Sequence, residues 1–325
     1  MSEASPILHA YTIDGNGHGL ELTGETIAKH LKADHLAWVH LDATHPQTRE
    51  WLIQNLSYLD SFVLDALLAG ETRPRIMEIN DGILMILRGM NFNENSTPED
   101  MVSVRVWADP HRIVTLRRRP IKAIIDIKEN LEQSKGPKNT GDFVSQLTAR
   151  LFERMEPVMT ELDDQIDVIE QTILENPDPS ERDDIINIRK RAIIFRRYIA
   201  PQKDVMTHLR ISEQPWVDAS HKRHLQESLD RVTRYVEDLD AIRERSQIIK
   251  DELTNALSDR LNKNLYILSV ISAIFLPLGF FTGLMGINIG GMPGVDNSNA
   301  FWIFTGILGV IVALQISIFK KLKWF

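Results

Sequence analysis

Between Lys263 and Asp296 the chain contains no charged residue, and between Asp296 and Lys320 it contains none again. No other feature of the sequence limits the fold as strongly. Residues 265–284 and 300–319 each supply about the 20 residues that carry an α-helix across a bilayer core. Their polar content is limited to Ser, Thr, Tyr, Trp and one Gln. Two such stretches together are rare in soluble domains. A transmembrane hairpin over 264–325 is therefore expected, with spans at about 265–285 and 300–319.

The flanks set its orientation. Arg260 and Lys263 precede the first span, and Lys320, Lys321 and Lys323 follow the second, whereas the loop 286–299 has no Lys or Arg and one Asp. Positive flanks stay inside, so both termini are expected in the cytosol and the loop outside. Trp302 and Trp324-Phe325 suit the two interfaces.

Everything before Lys263 is rich in Asp, Glu, Lys and Arg, and the whole chain carries a net charge of −8. That balance argues against nucleic acid as a partner and suits cations. Cysteine is absent, which removes disulfides and thiolate metal sites. The N-terminus lacks the charged start and apolar run of a secretory signal. Strand patterns at 10–14, 36–42, 83–87, 102–107 and 112–116 alternate with helical patterns at 48–55, 61–69 and 121–133. This predicts a cytoplasmic α/β domain over 1–140. Gly136-Pro137 interrupts the pattern, and long helices follow. One helical period runs over 142–175, and another follows from Ser180, a cap candidate with Asp183, with a bend expected at Pro201. A third begins near Val217 and meets no Pro or Gly until Pro277. Continuous helix of that length would reach on the order of 90 Å, which suits a stalk entering a membrane. Residues 141–263 are thus expected to form a long-helix funnel or stalk.

Two spans cannot enclose an aqueous path alone, so transport would need an oligomer. Helical steps of three and four pick out Asp251, Asn255, Ser258, Asn262, Leu265, Ser269, Ser272, Leu276 and Gly279 as one stripe, small or polar for much of its length. Within a span, Ser and Gly also serve close helix packing. The polar run from Asp251 to Asn262 favours pore lining, and Asp251 would concentrate cations at the inner entrance. The second span is more uniformly apolar and reads as lipid-facing.

At the end of the first span stands Gly286-Ile287-Asn288, followed by Ile289-Gly290-Gly291-Met292-Pro293-Gly294. With Phe275-Leu276-Pro277, Phe281-Thr282-Gly283 and the Lys320-Lys321-Leu322-Lys323-Trp324 ending, the chain resembles the CorA superfamily of metal-ion transporters. That family closes its first span on Gly-x-Asn, most often with Met in the middle, where this chain has Ile287. Together with Gly70-Glu71-Thr72-Arg73-Pro74-Arg75 and the segment from Arg196 to Val205, the passage is most similar to the zinc-transporting, ZntB-like branch. The resemblance covers essentially the whole chain. It implies a CorA-like fold and a homopentamer in the bacterial inner membrane, with a cytoplasmic funnel and a pore of five helices. It also implies zinc uptake coupled to protons.

The residues of the signature can be read physically as well. Gly286 allows close approach or a positive φ where the helix ends. Five copies of Asn288 would form a ring of amide acceptors that holds a hydrated dication through its waters. A lone Asn after a helix also serves as a C-terminal cap. Asp296 would add negative charge outside.

Zinc favours His and Cys ligands, and neither span nor loop contains either. Zinc would therefore cross at least partly hydrated, with modest selectivity over magnesium, nickel and cobalt. No carboxylate or His lies inside the spans to relay protons. In the soluble part, His221 and His224 stand three apart on a helix, a spacing that can clasp a metal, although most such exposed pairs are simply solvated. Asp163 and Asp167, with Glu170, line one helix face as a second candidate metal site. Arg117-Arg118-Arg119 is too short for nucleic acid and reads as surface or interface. Three functions remain to be separated: a zinc transporter, a magnesium or cobalt channel of the same fold, and a membrane-anchored scaffold that conducts nothing. No phosphate loop, nucleophile elbow or zinc-hydrolase motif points to an enzyme, and no cofactor is expected beyond the transported ion.

Overall fold

The computed structural model describes residues 5–33, 35–70, 72–287, 292, 294 and 296–321. The chain divides into two compact units, Met1–Asp251 and Glu252–Phe325. The change of character near residue 140 falls inside the first of these.

The first unit is built on a seven-stranded sheet in the order β2-β1-β3-β7-β6-β5-β4. Its strands are β1 (Ile7–Ile13), β2 (Gly19–Glu21), β3 (Ala37–Asp42), β4 (Arg75–Ile79), β5 (Gly82–Gly89), β6 (Val102–Ala108) and β7 (Arg112–Arg117). All neighbours are antiparallel except β3 and β7, which pair in parallel from Ala37↔Arg112 to Asp42↔Arg117. A parallel pair needs a crossover, and the chain makes one with α2 (Thr48–Asn55), α3 (Ser61–Leu68) and the meander β4–β6.

Alternation along the strands gives the sheet two buried faces. Val39, Leu41, Leu84, Trp107, Val114 and Leu116 share one core with Leu52, Leu56, Val63, Leu64 and Leu67 of α2 and α3. The same core takes Ile27 and Leu31 of α1 (Glu25–Leu31). On the other face Trp38 meets Phe143 with ring centroids 5.1 Å apart. Phe143 belongs to α5 (Thr140–Glu153), which packs beside α4 (Lys122–Glu132). Asp60 and Asn139 cap α3 and α5 by accepting from the N–H groups of Phe62 at 2.7 Å and Asp142 at 2.8 Å.

The single helical period over 142–175 proves to be two helices, α5 and α6 (Glu156–Glu175), parted at Arg154-Met155. Pro157 sits in the first turn of α6 and has no N–H for a preceding carbonyl, so a new helix starts there. Leu151, Met155 and Met159 are nonetheless all buried, which is why the apolar period runs across the break. At the start of α7 (Glu181–Ile211), Ser180 makes no side-chain cap; its N–H and hydroxyl both donate to Asp178. α7 continues through Pro201. The 67-residue α8 (Ala219–Met285) supplies residues to both units and contains Pro277. In the first unit it buries Leu225, Val232, Tyr235, Leu239 and Ile242, at steps of three, four and seven. α1, β2 and β4 had no clear sequence signal, being short and largely solvent-facing.

Candidate functional site

The second unit is a helical hairpin. α8 and α9 (Ala300–Lys321) are long and apolar enough to cross a membrane. α8 turns Val270, Ala273, Ile274, Pro277 and Leu278 inward, and α9 answers with Phe304, Leu308, Ile311, Val312, Gln315 and Phe319. Both sets recur at helical spacing, so each helix has one packed stripe.

The stripe expected to line a pore lies elsewhere on α8. At 100° per residue, Leu265, Ser269, Ser272, Leu276 and Gly279 centre roughly 150° from the packed face. All five are exposed in the single chain, Leu276 at 76%. A Cβ added to Gly279 would meet nothing within 4 Å. Ser269 satisfies its hydroxyl on the Leu265 carbonyl at 2.8 Å, and Ser258 does the same on Thr254 at 2.8 Å. Asn255, Ser258 and Asn262 are exposed along the same side of α8. Asp251, the last residue of the first unit, is exposed and accepts from Gln247 Nε2 at 2.9 Å.

α8 ends at the signature. The Gly286 N–H is shared between the carbonyls of Thr282 at 3.0 Å and Gly283 at 3.1 Å, which closes the last turn. A Cβ there would stand 3.1 Å from the Thr282 oxygen, and φ is not positive. Close approach, and not a left-handed backbone, is therefore what glycine supplies. Ile287 is exposed. Asn288 lies outside the described residues, and Asp296 is exposed within the loop.

The two sites suggested in the soluble part look different in three dimensions. His221 is buried, not exposed, and its ring is taken at both ends. Nε2 stands 3.1 Å from Asp142 Oδ1, and Nδ1 accepts the Asp218 N–H at 3.1 Å. His224 lines a small hollow with Asp142, Glu227 and Arg231, but His221 itself does not line it. Asp163, Asp167 and Glu170 all face Arg245 of α8, which draws the three carboxylates into one structural ion-pair cluster and offsets part of their charge. No group of three or more potential metal ligands occurs among the described residues.

Two features escaped the sequence reading. One is the hydrogen bond, 3.2 Å long, from Gln315 Nε2 of α9 to the Ala273 carbonyl of α8. A lone Gln in an apolar span was its only signal. The other is a cleft of about 730 Å³ lined by Arg73, Arg88, Arg118, Arg119 and Arg197. Those arginines come from four separate stretches of sequence, so only Arg118-Arg119 stood out as a run.

Comparison with known proteins bears on this arrangement. Residues 33–321 match the family described as CorA-like Mg2+ transporter protein. The chain is 34% identical over 321 residues to the divalent cation transporter CmaX of Pseudomonas aeruginosa, covering 98% of this chain and 96% of that one. It is 34% identical over 322 residues to the zinc transport protein ZntB of Yersinia enterocolitica, covering 99% and 97%. The solved structure of full-length CmaX superposes with a TM-score of 0.86 over 100% of both chains. The CorA magnesium transporter of Methanocaldococcus jannaschii, 18% identical, shares the fold with a TM-score of 0.78 over 97% of this chain and 98% of its own.

Proposed function

The chain belongs to the CorA-like Mg2+ transporter family, and from that premise we propose that it carries zinc ions across the bacterial inner membrane through a homopentameric pore. One observation carries the reading: α8 packs against α9 on one side and leaves its serine- and glycine-bearing side uncovered. A face of that kind in lipid calls for other copies of the same helix, and a ring of copies encloses an axis. Both termini lie in the cytosol, with the loop and its Asp296 outside. Asn288 of each copy forms the outer collar.

Zinc is the cargo favoured by the similarity to ZntB. With no His after His224 and no Cys anywhere, the spans and loop offer no imidazole or thiolate and mostly oxygen ligands. The ion therefore passes with much of its water, and nickel, cobalt and magnesium compete for the route. The spans hold no Asp, Glu or His, so coupling to a proton gradient acts through groups outside them.

Flux of zinc and magnesium into liposomes, with and without a pH gradient, tests these points. Asn288→Ala is expected to cut zinc entry severely and to weaken discrimination between ions. Unchanged flux in that variant removes the collar from the mechanism. Magnesium entry that zinc fails to inhibit would assign the chain to a magnesium channel of the same fold.

A further inference from the structure

The arginine cleft lies wholly within the first unit and shares no residue with the α8 stripe. Although the whole chain is acidic, this hollow of about 730 Å³ gathers five arginines, and its acidic lining is Glu99 and Asp100. Glu99 is already held by Arg191. Arg73, Arg118, Arg119 and Arg197 are exposed and make no ion pair among the described residues. Arg88 is fixed as a wall. Its guanidinium donates to the carbonyls of Met101 and Thr72, both at 2.6 Å, and lies 4.7 Å from the centre of the Tyr198 ring.

Behind the wall, bonded to its Gly70 and within electrostatic reach of Arg88 and Arg118, is Arg105, on the interior strand β6 and 0% exposed. Its Nη2 donates to the Ala69 carbonyl at 2.8 Å and, at 3.4 Å, to that of Gly70, a residue of the cleft wall. Nε and Nη1 have no partner among the described residues. Burial first, then Arg118 and Arg88, pull this guanidinium down to about 10. A buried cation with open donors and like-charged neighbours is costly to fold around. An anion in the adjoining cleft offsets the mutual repulsion of Arg105, Arg88 and Arg118.

We propose that this cleft binds a soluble oligophosphate anion, with Arg73, Arg118, Arg119 and Arg197 closing on its oxygens and Arg105 adding positive charge from behind the wall. The guanidinium fork matches phosphate oxygens two at a time. A single phosphate would leave much of the volume and most of the arginines unused, which points to a chain of two or more phosphate groups. The hollow is concave, which suits a small ligand better than the acidic surface of another protein.

Calorimetry on the full-length protein in detergent tests this, with sodium tripolyphosphate as probe and orthophosphate as comparator in metal-free buffer. Saturable binding is expected, tighter than for orthophosphate by about tenfold or more, since each added charge-assisted contact contributes on that scale. Arg73→Glu and Arg197→Glu should each weaken it by roughly tenfold. Arg49→Glu, which breaks a surface pair with Asp65, should not change it. Arg105→Met should keep the thermal midpoint of the free protein and lose most of the midpoint rise that tripolyphosphate gives the wild type. No saturable heat, or equal weakening by Arg49→Glu, overturns the proposal. So does an Arg105→Met variant that is destabilised yet binds normally, or arginine variants that change particle size while the wild type ignores tripolyphosphate.

Discussion

His40 occupies a place in the sheet where a charge cannot be solvated. It is fully buried on β3, its Nδ1 is 2.8 Å from Thr115 Oγ1, and it stacks on His9 with ring centroids 6.0 Å apart. Burial, then Arg117, then His9, hold its pKa well below the ordinary 6.5, and burial with Lys128 and Arg117 lowers His9 as well. The unfolded chain binds protons at these rings once the pH falls below about 6.5, and the folded chain does not. Stability is thus complete above that pH and is lost as pH falls towards the folded values, by up to about 1.4 kcal/mol per pH unit for each ring. Thermal unfolding in detergent between pH 7 and pH 5 should show the decline, and His40→Gln should flatten it. An equally steep decline in the variant would place the responsible protons elsewhere. Residue-scale facts of this kind divide by locality. The row Asp163, Asp167, Glu170 was plain in the sequence because steps of four and three define a helix face. Its partner Arg245 was not, because it comes from a helix far along the chain.

Elements were legible where their patterns were long. The strands of the central sheet and the long helices follow from alternation and helical period, whereas the parallel β3–β7 pairing depends on how the crossover packs. The link between α8 and α9 shows why chemistry between elements is harder to read. Within a helix the Ala273 carbonyl would accept from the N–H of residue 277, but that residue is Pro277 and has none. Gln315 of α9 supplies the missing donor at 3.2 Å. Both residues were visible in the sequence, but their partnership depends on the register of the hairpin. Gln315→Leu should therefore strand a carbonyl in an apolar setting and loosen the hairpin by about 1 kcal/mol, within the range for polar contacts between membrane helices. In a Pro277→Ala background the helix recovers its own bond, and the same substitution should then be nearly neutral. A double-mutant cycle of unfolding in detergent reads the coupling; additive effects would show that Gln315 does something other than serve that carbonyl.

For the whole molecule, the decisive question is which side of α8 meets water. The stripe was legible in sequence because small and polar residues recur at helical steps. What the sequence left open was whether that side packs on α9. The hairpin uses the other side, so the stripe remains free for copies of itself. Pore lining and dry helix packing both use small residues, but they differ in response to bulk. Gly279→Phe puts a ring on the stripe where nothing stands within 4 Å in one chain. Around a conducting axis, one such ring per copy narrows the lumen severalfold over and should stop zinc entry into liposomes while the oligomer still assembles. Val310→Phe places the same ring at an outward position of α9, 68% exposed, and should leave entry within about twofold, as expected of a change that meets only lipid. If Gly279→Phe instead dissolves the oligomer, the stripe is a packing seam. If it conducts like the wild type, the ions travel along another face, and the pore assigned to α8 is wrong.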